Sequence, residues 1–156
     1  LAGFISSTQT PLKITEKPQG IDDKLQYRFW LHYAEGSLMP LLLMKLVFAS
    51  LGKPPVPFGV RSLGSLLGKG IQKTWLDPQL ATHARFIDDH LAARPWFAGE
   101  RLSMADIQMS FPVMALLARG GMHDLVHIEA WRQRVEQRPA WQRAIERGGP
   151  FTLPGA

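Results

Sequence analysis

Trp96-Phe-Ala-Gly-Glu-Arg-Leu-Ser-Met-Ala-Asp-Ile-Gln-Met-Ser-Phe111 contains the start signal of a core helix. Ser103 and Asp106 have the spacing of a capping box, with Asp in place of the usual Glu. The Ser103 hydroxyl is expected to accept from the Asp106 amide, and the Asp106 carboxylate to reach back to the Ser103 amide. Leu102 and Ile107 stand where a hydrophobic staple would form around such a cap. The run from Ile107 to Leu117 is too apolar for a surface helix. A capped helix that is apolar nearly all round belongs in the middle of a helical domain. Ser103 and Asp106 are therefore assigned a folding role, since a cap contributes about 0.5–2 kcal/mol.

Working outward, the segments on either side are also helical in pattern. Asp22 and Asp23 suit a helix N-terminus. Leu25, Phe29, Trp30, Tyr33, Leu38, Leu41, Leu42 and Leu46 follow at three- and four-residue steps. This predicts a long helix to about Ser50, ended by Gly52 and by Pro54-Pro55. Pro40 lies inside it and leaves the Gly36 carbonyl without its usual donor, so a kink is expected there. Gly36 has no side chain and opens a notch at the same place. Gly59 to Lys73 reads as a helix weakened by glycines at 64, 68 and 70. Asp77-Pro78 is expected to start a new helix, with Leu80, Ala84, Ile87 and Leu91 as its buried stripe. Beyond the core helix, Met104 to Arg119, come two shorter helices, Ile128 to Gln137 and Ala140 to Arg147. They carry Trp131 and Trp141, expected to pack on the core.

No stretch alternates as a strand would, and no repeat is visible. Residues 1–21 read as a linker or irregular segment, and residues 22–156 as one all-α domain. The expectation is an antiparallel bundle of about six to seven helices.

The chain has 156 residues, 46% apolar and 20% charged, a globular composition. It has no cysteine, which excludes disulfides, thiolate metal sites and a cysteine nucleophile within it. No signal peptide is evident, and the first residue is Leu, which suggests a fragment. The longest apolar run, Leu38 to Leu51, is broken by Pro40 and Lys45 and is too short to span a bilayer. A cytoplasmic protein with no membrane partner is expected. The net charge is +5, but the basic residues are scattered and no basic-aromatic stripe or finger motif appears. Nucleic acid is not expected as a partner.

The inventory of reactive side chains gives no self-contained active site. The five histidines form no His-Glu-x-x-His motif. His83 and His90, seven apart on one helix, are not assigned a metal. Gly64 to Lys69 lacks the spacing, the hydroxyl residue and the strand of a phosphate loop. Asp88 and Asp89 read as an exposed face. His32 and Glu35 are three apart and can pair along one helix face beside the Gly36 notch.

Three segments, in order, resemble the C-terminal domain of glutathione S-transferases of the bacterial and fungal type. Phe29-Trp-Leu-His-Tyr-Ala-Glu-Gly-Ser-Leu-Met-Pro-Leu-Leu42 is similar to the opening helix of that domain. Trp96 to Phe111 is similar to its central helix. Trp131-Arg-Gln-Arg-Val-Glu-Gln-Arg-Pro-Ala-Trp-Gln-Arg-Ala144 is similar to its closing helices. The resemblance covers about residues 22–150.

The resemblance implies an electrophile-binding and dimerisation domain. In the full-length enzyme, glutathione is the co-substrate and its thiolate attacks a hydrophobic electrophile, a detoxification chemistry that rests on a lowered thiol pKa and on approximation. It further implies that Met39, Leu42 and Leu43 face the electrophile pocket. Gln108 and Ala115 would stand on its wall, and Phe151 and Leu153 would form a lid. His32 and Glu35 would lie toward the dimer seam or the ligand. The family's N-terminal thioredoxin-like domain, which binds glutathione and supplies the thiolate-stabilising residue, has no counterpart in residues 1–21. This chain alone is therefore expected to bind no glutathione and to be inactive. No catalytic residue and no metal are assigned to it. The alternative is a non-catalytic module of the same fold used for interaction or dimerisation.

Overall fold

The first helix begins at Ile21, one residue before its expected start, and its course is set by Pro40. In the computed structural model, which describes residues 20–120 and 124–150, α1 (Ile21–Tyr33) passes through a π turn (Ala34–Leu38) into α2 (Met39–Ser50). The Met39 amide bonds to the Ala34 carbonyl, five residues back, and Pro40 follows immediately. The wider turn accommodates a residue that can neither donate to Gly36 nor tolerate its carbonyl against the ring. A π turn thus stands where the kink is expected.

The same device corrects a second expectation. Asp77-Pro78 does not start a new helix. Instead, α3 (Arg61–Ile71) runs through another π turn (Gln72–Leu76) into α4 (Asp77–Ala93). The Asp77 amide bonds to the Gln72 carbonyl, again five residues back and again just before a proline. Asp77 caps nothing; its carboxylate accepts from Lys45 Nζ of α2 at 2.8 Å. The remaining helices are α5 (Met104–Gly120), α6 (Val126–Glu136) and α7 (Pro139–Gly148). Among the described residues the architecture is all-α, and these seven segments form five rods, two of them double. The linker expected before residue 22 lies almost wholly outside the described residues.

The glycines of α3 make a contact that larger residues would block. A Cβ on Gly64 would lie 2.5 Å from the Leu51 carbonyl oxygen, and one on Gly68 would press on the Phe48 carbonyl. The helix thus lays its Gly-x-x-x-Gly face on the last turn of α2.

Helix α5 lies at the centre, against α1, α2, α4 and α6. Met109, Val113 and Leu116 are fully buried there, among Trp30, Leu38, Leu42, Leu76, Leu80, Ile87, Ile128 and Trp131. It is not apolar-buried all round: Ile107 and Phe111 remain exposed, and Leu102, the other half of the expected staple, is half-buried. Trp141 packs on the rim of the core.

The cap at the start of α5 is larger than a capping box. Asp106 Oδ2 accepts from the Ser103 amide at 2.8 Å and from the Ser103 hydroxyl at 2.9 Å. The Ser103 hydroxyl in turn accepts from the Ala105 amide at 3.2 Å, rather than from the Asp106 amide as expected. Asp106 Oδ1 accepts from the Phe97 amide at 2.9 Å and from Trp131 Nε1 at 3.1 Å. One buried carboxylate therefore ties α5 to α6 and to the preceding turn. Burial pushes its pKa up, opposed by the four donors around it. That turn closes through paired amide–carbonyl bonds between Trp96 and Gly99, each 3.2 Å. Gly99 sits at φ +129°, and a Cβ there would also meet the Asp23 carboxylate at 3.1 Å. Asp88, expected on a solvated face, instead caps α6: its Oδ1 accepts from the His127 and Ile128 amides at 2.9 and 2.8 Å.

Candidate functional site

The Gly36 notch foreseen in the sequence is part of a groove. Arg28, Phe29, His32, Tyr33, Gly36 and Ser37 line an open concavity of about 440 Å³. These six positions form one stripe along α1 and the π turn. A volume of this order falls in the range that small ligands occupy, about 300–1,000 Å³. At its end a Cβ on Gly36 would meet nothing within 4 Å, so the glycine leaves space that no neighbour fills.

The walls are held from behind by aromatic packing. Trp30 is fully buried and lies edge-on to Tyr33 and stacked on Phe86, with ring centroids 4.9 and 5.4 Å apart. Phe29 packs against Tyr33 and Phe86 at 5.4 and 6.0 Å. The Tyr33 hydroxyl is in a short contact with His83 Nδ1 of α4. Burial pushes the Tyr33 phenol up to about 12 and pushes His83 down, so both groups stay neutral near pH 7. His90 is lowered too, chiefly by burial, and its Nε2–H donates to the Phe97 carbonyl at 2.9 Å. Among the described residues no group of three or more His, Cys, Asp or Glu could hold a metal ion. Arg28 is exposed and has no ion pair among the described residues, so the groove is aromatic with a cationic end.

The structure brings together some of the residues singled out in the sequence. His32 lines the groove. Glu35 does not pair with it; its Oε1 accepts from Gln108 Nε2 of α5 at 2.8 Å. Two candidates from separate segments thus meet at the residue next to Gly36. Met39 is half-buried two residues beyond Ser37, and Leu43 is exposed on the next turn of α2. Leu42 and Ala115 are enclosed in the core, each 1% exposed. Phe151 and Leu153 lie outside the described residues. Arg28, Phe29, Tyr33 and Ser37 were missed. Their spacing around Gly36, in steps of three, four and five residues, was the available signal.

Two comparisons bear on this arrangement. Residues 42–139 match the family described as "Glutathione S-transferase, C-terminal domain". The chain is 32% identical over 130 residues to "Glutathione S-transferase 3" of Schizosaccharomyces pombe, covering 82% of this chain and 53% of that protein. It is 22% identical over 125 residues to "Glutathione S-transferase 1" of Saccharomyces cerevisiae, covering 78% of this chain and 53% of that one. The chain spans about half the length of the curated relatives it matches.

Proposed function

Because the chain belongs to the glutathione S-transferase family and carries its C-terminal domain, we propose that it is the electrophile-binding and dimerisation part of a glutathione transferase. Glutathione is the co-substrate, held by a thioredoxin-like domain that docks on these helices. The groove beside Gly36 is the observation that carries the reading. It is apolar and aromatic along most of its length, which suits a flat hydrophobic electrophile bound by area. Met39 and Leu43 extend that surface along α2, and the Glu35–Gln108 bond holds α5 against its edge. Leu42 and Ala115 support these residues from the core and do not touch the ligand.

In this reading the chain's own residues bind and orient. Phe29 presents its ring to the electrophile with Tyr33 packed behind it, Gly36 leaves room for it, and His32 and Arg28 attract any developing negative charge. The sulfur nucleophile comes from glutathione, so the rate gain on this side is approximation of two bound reactants. Two copies of the domain assemble as a homodimer.

The test joins the chain to a thioredoxin-like domain of the family and assays conjugation of glutathione to an aromatic halide. Gly36→Val fills the open space and should raise KM for the halide about tenfold, the scale of a misfit apolar contact of about 1–3 kcal/mol, while KM for glutathione stays the same. Equal effects on both substrates, or none on either, would refute this placement of the electrophile.

A further inference from the structure

Residues 36–76 contain five lysines or arginines and no aspartate or glutamate, although the chain has 13 acidic residues. Lys45 is neutralised by Asp77 from just beyond this stretch. Lys53, Arg61, Lys69 and Lys73 have no ion pair among the described residues. Arg61 donates instead to the Val56 carbonyl at 2.6 Å and lies over the Phe58 ring.

The same stretch holds Phe58, the most exposed large apolar side chain among the described residues. Phe58 is 86% exposed and Leu66 69%, with Leu63, Leu67 and Trp75 about half exposed or more. The cause is the inverted layout of α3. Gly64 and Gly68 face the α2 backbone, so Leu66, two residues from each, points outward, with Leu63 and Leu67 flanking it, the reverse of an ordinary surface helix. Leu66, Lys69 and Lys73 follow at steps of three and four, which sets the two lysines along one edge of the leucine face.

A second copy of the chain is a poor occupant for this face. A two-fold contact would bring the same cations together, with no carboxylate in the stretch to pair them. An anionic surface has the opposite effect. We propose that the face from Phe58 to Trp75 docks on an anionic phospholipid membrane. Phe58, Leu63, Leu66, Leu67 and Trp75 enter the boundary between headgroups and acyl chains, while Lys69, Lys73 and Lys53 lie among the phosphates. This is contact from one side: no helix among the described residues is long and apolar enough to cross a membrane. It is a contact additional to the transferase reading, which then needs the thioredoxin-like domain and the second copy to dock on other faces of these helices.

The experiment is co-sedimentation of the chain with vesicles of phosphatidylcholine, alone or mixed with phosphatidylserine. Binding is expected only to the mixed vesicles, weakening as salt is raised, with a blue shift of Trp75 emission that Trp75→Phe removes. Each lysine near the surface contributes about a fivefold factor, so Lys69→Gln with Lys73→Gln should weaken partitioning by roughly twentyfold or more. Leu66→Ser with Leu67→Ser should abolish it while leaving the circular dichroism and melting temperature unchanged, because both side chains are already exposed. Equal binding to both vesicle types, no binding to either, or binding unaffected by these variants would overturn the proposal. So would a fall in solution mass from dimer to monomer in the leucine variant, which would assign the face to a second copy.

Discussion

Gly68→Ala should destabilise the chain even though alanine is the better helix former. The substitution adds a methyl group that points at the Phe48 carbonyl of α2, with the carbonyl carbon 3.3 Å away. Helix propensity alone favours alanine by about 1 kcal/mol. Overpacking typically costs about 1–3 kcal/mol. A backbone carbonyl cannot rotate aside as a side chain can, so the upper end applies, and the net loss is about 2 kcal/mol. For a domain of this size that lowers the melting temperature by roughly 4–8 °C. Gly70→Ala is the matched control. It lies in the same helix with nothing within 4 Å of its Cβ position, so it should keep the propensity gain and melt about 2–4 °C higher. Thermal unfolding followed by circular dichroism reads both. If Gly68→Ala melts at or above the unsubstituted chain, the close approach of α2 and α3 is not what holds them, and the explanation for the outward leucines fails with it.

Two further outcomes concern titratable groups in the core or half-buried at its edge. Asp106→Ala strands the Phe97 and Ser103 amides and Trp131 Nε1, so it should cost about 3–5 kcal/mol; a shift in urea midpoint equivalent to under about 1 kcal/mol would mean that the carboxylate does not organise the three segments. His83 and His90 are both depressed below 6.5, chiefly by burial. Their contribution is therefore complete above pH 6.5 and is lost as pH falls toward their folded pKa values, because the unfolded chain takes up protons that the native imidazoles refuse. Urea midpoints should drop between about pH 7 and pH 5, and His83→Gln with His90→Gln should flatten that slope; an unchanged slope would exclude these two histidines as its source.

Much of the fold was legible because it depends on local chemistry. Ser103 and Asp106 announced the start of α5, and the three- and four-residue steps from Leu25 to Leu46 announced the first rod. What could not be read locally depends on neighbours distant in the chain. Asp88 reads as solvent-facing on its own helix, yet it caps a helix about forty residues on. Asp77-Pro78 carries a good N-cap pattern, but a π turn let the preceding helix run straight through it. The glycines at 64 and 68 read as weak points by propensity and are instead the contact surface. For the groove, Gly36 and Pro40 gave the location. The aromatic wall from Phe29 and Tyr33 was hidden because the same periodicity also describes a buried stripe.

The two π turns separate what a helix irregularity can and cannot indicate about function. Both precede a proline and both carry the i to i−5 bond that makes room for it, so the proline explains each without reference to a ligand. Such turns are frequent at functional sites, and both of these end in a fully buried leucine, Leu38 and Leu76. The turn at Ala34–Leu38 differs in two respects. It contains a glycine whose missing side chain leaves unfilled space, and it offers Glu35 to a residue on the central helix. The distinguishing feature is thus the vacant position at Gly36 and not the bend. A substitution that fills Gly36 should alter ligand binding without disturbing the helix, because no neighbour stands in the way. Replacing Pro40 would act on the helix itself and should shift stability first.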